Sequence, residues 1–145
     1  MKKLILLLLP FLFITFAQAQ VQKTLHQTFD IAGADKIQVS LADNYEVQNW
    51  AGNNVMIEMT IKLSHVQQNV LDYVIHQEGR YNIQLLRPQE NIVQLVSKNP
   101  SRKSISVKGV DAEEVVLVRI FVPDTYNIED KNQFTLIDTT AGNSN

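Results

Sequence analysis

A mainly β (α+β) fold is predicted for this chain: an antiparallel or rolled sheet of about seven to nine short strands with one amphipathic helix packed on it. The start of a β-solenoid is the alternative. Three observations carry the prediction. Apolar and polar residues alternate with period two through most of the chain. Helical spacing occurs once, between Ser64 and Gly79. Clusters of Asn, Asp, Gly and Pro punctuate the alternating runs at positions suited to turns.

The chain opens on a different pattern. Met1-Lys2-Lys3 is a short basic start, Leu4 to Phe16 is an apolar run interrupted by Pro10 and Thr15, and Ala17-Gln18-Ala19 has the A-x-A form of a cleavage site. Residues 1–19 read as a secretory signal peptide, because the apolar core falls short of the roughly 20 residues that span a bilayer. Cleavage leaves Gln20 as the new N-terminus. Residues 20–138 are expected to form a single strand-rich domain, with 139–145 as a flexible polar tail.

The first strand is expected over Thr24 to Ile31, ending at Ala32-Gly33. Ile37, Val39 and Leu41 alternate with polar neighbours, Tyr45 and Val47 follow, and Val55 to Leu63 is the clearest strand. Asp43-Asn44 and Ala51-Gly52-Asn53-Asn54 separate these runs, so the first third reads as a meander. Ser64 and Gln67 then have capping-box spacing, which predicts about four turns of helix over His65 to Glu78. Val66, Val70, Tyr73 and Val74 form its apolar face, Leu71 and Ile75 widen it, and Gly79 supplies the stop.

Strand patterning resumes at Tyr81, Ile83 and Leu85, halts at Pro88 and returns from Ile92 to Val96. Asn99-Pro100-Ser101 marks a turn, and Ile105 and Val107 suggest a short strand. Val115 to Val122 is apolar at seven of eight positions, the pattern of a strand buried on both faces at the sheet centre. Pro123 ends it. Tyr126 to Ile128 and Phe134 to Ile137 are read as edge strands.

Composition narrows the function classes. The chain carries 13 basic and 15 acidic residues. Loss of Lys2 and Lys3 with the leader makes the remainder more acidic, which argues against nucleic-acid binding. Cysteine is absent, so the fold has no disulfide and the cleavage junction has no thiol for lipidation. With the leader removed, no stable membrane span is expected.

Phe29, Ile37-Gln38-Val39, Trp50-Ala51-Gly52, Val55-Met56-Ile57-Glu58, Val118 to Pro123 and Tyr126-Asn127-Ile128 together resemble secreted bacterial adhesin families. There a strand, a Trp-containing turn and a further strand lead into a repetitive sheet, and a strand ending in Val-Pro recurs. The resemblance covers about half of the chain after the leader, in two pieces, and it implies an adhesive role. The helix, the five glycines and the absence of a fixed internal period favour a compact sheet over stacked rungs.

No catalytic, cofactor or metal site is expected. His65 and His76 are eleven residues apart on the expected helix, about 16 Å along its axis, too far to share a metal. Asp72 and His76 form an i,i+4 pair read as an exposed helix pair, because no serine sits in a nucleophile elbow. Trp50 is expected to close the core against Val39, Val47 or Val55. Lys98, Arg102 and Lys103, around Asn99-Pro100, are the candidate surface contact for an anionic partner. The neighbouring Asp111, Glu113 and Glu114 cancel much of their field.

These readings converge on an exported, non-enzymatic envelope or surface protein, structural or adhesin-like, in the bacterial periplasm or at the cell surface. Cell-surface polysaccharide or another envelope protein is the expected partner. The alternative is a periplasmic binding or inhibitory module for a small ligand or partner protein.

Overall fold

The computed structural model describes residues 20–138, so the leader and the polar tail lie outside the described residues. Alternation does the building. In β4 (Val55–Ser64), Val55, Ile57, Met59, Ile61 and Leu63 are fully buried, while the residues between them face outward. This strand pairs antiparallel along its length with β1 (Gln20–Phe29) on one side and β9 (Glu114–Pro123) on the other. β3 (Tyr45–Trp50) completes a four-stranded sheet by pairing parallel with β9, giving the order β1-β4-β9-β3.

A second sheet of five strands has the order β10 (Tyr126–Asp130), β11 (Gln133–Leu136), β2 (Lys36–Ser40), β6 (Ile92–Ser97), β5 (Ile83–Gln89). Ile37, Val39, Val93, Leu95 and Phe134 from this sheet join the inner residues of the first in one core cluster, as when two sheets pack face to face. Between them in sequence, β7 (Ser106–Val107) and β8 (Val110–Asp111) form a small hairpin. Its turn residues, Lys108 and Gly109, both have positive φ, as a tight two-residue hairpin turn requires.

The fold is thus mainly β, but the described residues form one short helix and eleven strands in three sheets, with two parallel pairings, where a largely antiparallel sheet of fewer strands was expected. The meander of the first third does not form. β2 crosses to the second sheet and β3 pairs with β9, because alternation fixes which face of a strand is buried and not which strand lies beside it. β9 does lie in the interior of its sheet, yet it is buried on one face only: Val115 and Leu117 are 48% and 53% exposed. Nothing among the described residues covers the outer face of that sheet. β11 is also no edge strand, since it lies between β10 and β2 with Phe134 fully buried.

Helix α1 (Gln68–His76) is shorter than expected, at nine residues. Ser64 is the last residue of β4, where its amide donates to the Glu113 carbonyl at 3.0 Å. His65 follows with a φ of 64°, turning the chain before the helix begins. The capping box is therefore absent: Gln67 occupies the cap position and makes no side-chain capping bond. Leu71, Val74 and Ile75 are the buried helix residues, whereas Tyr73, placed on the apolar face by sequence, is 55% exposed. Gly79, at φ 58°, reverses the chain after the helix as expected.

Candidate functional site

The uncovered outer face of the four-stranded sheet is built by the polar half of each alternating strand. Register brings His26, Glu58, Arg119 and Glu46 into one row across β1, β4, β9 and β3. Thr24, Thr60 and Leu117 form the adjoining row on one side, and Thr28, Met56, Phe121 and Gln48 that on the other. Side chains opposite one another in such rows stand close enough to bond.

Glu58 is the hub. Its carboxylate accepts from Arg119 Nε at 3.0 Å and from Arg119 Nη2, and His26 Nε2 lies 3.1 Å from its other oxygen. The hydrogen bonds from Arg119 lead in holding the Glu58 carboxyl below the usual glutamate range. Arg119 in turn lies over the Phe121 ring, 5.8 Å from its centroid. The row therefore presents an ordered ion pair beside an aromatic ring on a water-facing surface.

A shallow, open depression of about 710 Å³ lies beside the hub, lined by Tyr45, Glu46, Glu58, Thr60, Leu117, Arg119 and Lys131, among others. Lys131, from the β10–β11 turn, sits over the Tyr45 ring at 5.0 Å, and the Tyr45 hydroxyl donates to Asn132. These contacts fix the rim.

Trp50 belongs to this outer face and not to the core. It is half-buried, meets Phe121 edge-on with ring centroids 6.1 Å apart, and donates from Nε1 to the Asn54 carbonyl at 2.9 Å. Its ring folds over Gly52, where a Cβ would stand 2.3 Å from Trp50 Cζ2. The turn that follows β3 thus seats the indole locally, so the expected packing against Val39, Val47 or Val55 does not occur.

The basic loop divides. Lys98 and Lys103 are exposed, but Arg102 is only 13% exposed. Arg102 pairs with Asp43, donating from Nη1 at 2.9 Å, and lies over the Tyr81 ring at 5.1 Å. Arg80, 9% exposed, donates from Nε and Nη2 to Glu114 at 3.2 and 2.6 Å and from Nη2 to the Lys103 carbonyl at 2.7 Å. The Tyr81 hydroxyl donates to Glu114 at 2.8 Å. Burial alone would raise the Glu114 pKa, but the bonds from Arg80 and Tyr81 and the two guanidinium charges bring it below the ordinary value. This network fastens the loop to the start of β9 and uses the arginine that sequence assigned to the surface.

Asp72 and His76 do not act as an isolated dyad. Lys23 Nζ lies 2.9 Å from Asp72 Oδ1 and 3.0 Å from His76 Nε2, tying α1 to β1. Among the described residues, no group of three or more His, Cys, Asp or Glu side chains is placed to hold a metal. No helix among them is long and apolar enough to cross a membrane.

Sequence reasoning did not single out Glu58, Leu117 or Arg119. One signal was available: Arg119 is the only polar residue in the apolar run from Val115 to Val122. A lone charge in an apolar strand marks the side that faces water. No family model, curated protein or solved structure matches the chain.

Proposed function

We propose that this is an exported, non-enzymatic envelope or surface protein, structural or adhesin-like, whose working surface is the outer face of the four-stranded sheet. One observation carries the reading: an uncovered sheet face on which half-exposed Val115 and Leu117 stand beside the fixed Arg119–Glu58 pair. Exposed apolar side chains rimmed by ordered polar groups are the composition of a contact surface. The signal-peptide pattern read in residues 1–19 of the sequence supports the location. A shallow depression of about 710 Å³ lies on this open face, which favours a broad partner, cell-surface polysaccharide or another envelope protein, over an enclosed small ligand.

Co-sedimentation of the purified protein with isolated bacterial envelopes tests the reading. Leu117→Asp combined with Arg119→Ser is expected to weaken binding by about tenfold or more, whereas Leu136→Asp on the second sheet leaves it unchanged. Protease treatment of the envelopes separates a protein partner from a polysaccharide. Equal sedimentation of wild type and the double variant would remove the assignment of this face.

A further inference from the structure

The two larger sheets have four edge strands, β1, β3, β5 and β10, and three of them carry features that discourage strand addition. β5 contains Pro88 and a register break between Leu86 and Gln89. At its start, the Gln27 side chain donates to the Tyr81 carbonyl and accepts from the Ile83 amide, filling positions that an added strand would use. β10 has five residues, a register break after Ile128, and the acidic pair Glu129 and Asp130. β3 has six residues, carries Glu46, and ends at the Trp50 turn.

β1 has none of these. It runs for ten residues without Pro, Gly or a register break, and all ten pair with β4. No backbone hydrogen bond among the described residues reaches its other side from outside the ladder. Its one lysine, Lys23, lies on the inward-facing half of the alternation and is held by Asp72, so α1 packs from the inner side rather than along the edge. The outward residues are Gln20, Gln22, Thr24, His26 and Thr28, with no carboxylate or lysine among them.

We propose that β1 pairs antiparallel with β1 of a second copy of this chain, about a two-fold axis at Thr24, joining two four-stranded sheets into one of eight. The strand is self-complementary in that register. Thr24 faces Thr24 of the second copy, Gln22 faces His26, and Gln20 faces Thr28. On the inner side Lys23 faces Leu25 and Val21 faces Gln27. No two like charges oppose one another, and the Thr24–Thr60 contact, 3.0 Å between hydroxyls, continues as a threonine row across four strands. A slip of one residue would turn the outward polar side chains of one copy to the inner side of the other, so the pleat excludes it, and moving the axis to Lys23 would set two lysines face to face. This interface is isologous and closes on itself, leaving the β3 edges at the two ends of the joined sheet.

Sedimentation equilibrium tests the proposal, using protein expressed from the full coding chain and purified from the soluble fraction. A concentration-dependent dimer is expected. Thr24→Lys sets two lysines face to face at an exposed position and should weaken the dimer by about tenfold or more. Gln22→Glu with His26→Lys in one chain should tighten it, because each new carboxylate then faces a new amine of the other copy. Within each subunit these residues oppose Lys62 and Glu58, so the fold is retained, which an unchanged denaturant midpoint verifies. A monomer at every concentration would overturn the proposal. So would a dimer indifferent to both Thr24→Lys and the charge pair, since it would use another surface.

Discussion

At the scale of single residues, the three most informative side chains, Trp50, Arg80 and Arg102, are held by neighbours that sequence patterning does not weigh. Trp50 is seated by a glycine two positions on, and the seat leaves no room for a methyl group: a Cβ at Gly52 would lie 2.3 and 2.4 Å from two ring carbons. Gly52→Ala should therefore lower stability by about 1–3 kcal/mol through displacement of the ring. Denaturant midpoints and indole emission check this, and an unchanged midpoint with unchanged emission would contradict it. Arg80 and Arg102 show the same dependence on context. Removing Arg80, as in Arg80→Met, leaves Glu114 short of its main buried partner and should cost about 3–5 kcal/mol. Lys98→Ala and Lys103→Ala, at exposed positions of the same loop, should stay within about 0.5 kcal/mol. Arg80 and Arg102 thus lock the loop, while Lys98 and Lys103 face solvent.

At the scale of elements, what was legible followed from period alone. The extents of β2, β3, β4 and β6 and the inward positions of Ile37, Val39, Ile57 and Ile61 could be read directly, because a half-buried strand must alternate. Strand neighbours could not, since a strand presents the same buried face in a meander as in a sheet-to-sheet crossover. The apolar run of β9 misled for a related reason: apolar residues on both faces imply burial only where a second layer covers each face, and here one is open. The helix start was misplaced because capping-box spacing is a local signal, whereas β4 extends its pairing to Ser64. Ser64→Ala should accordingly change stability by less than about 0.5 kcal/mol, where loss of a true cap costs about 1. Thermal unfolding distinguishes the two. Of the proposed contact face, the outward setting of Glu58 was implicit in the alternation of β4, but its bonding to Arg119 required the β4–β9 register, which joins residues 61 positions apart.

At the scale of the whole molecule, acid stability should report the carboxylates bound by arginine. Glu58 and Glu114 both have folded-state pKa values below their ordinary value of 4.5. A depressed carboxylate contributes stability that is fully present above its unfolded pKa and is lost as pH falls through the folded one. The protein should therefore hold its stability from neutral pH to about pH 4.5 and lose it below. Glu114→Gln should flatten that acid limb while lowering stability at neutral pH, and a variant with an unaltered limb would show that Glu114 is not a source of it.

The proposed role requires export, because a contact face for envelope partners has meaning only outside the cytoplasm. The most direct measurement is the intact mass of the protein recovered from separated fractions of the producing bacterium. A species beginning at Gln20, outside the cytoplasmic membrane, with residues 1–19 removed, is expected. A chain that retains Met1 and remains in the cytoplasm would contradict it.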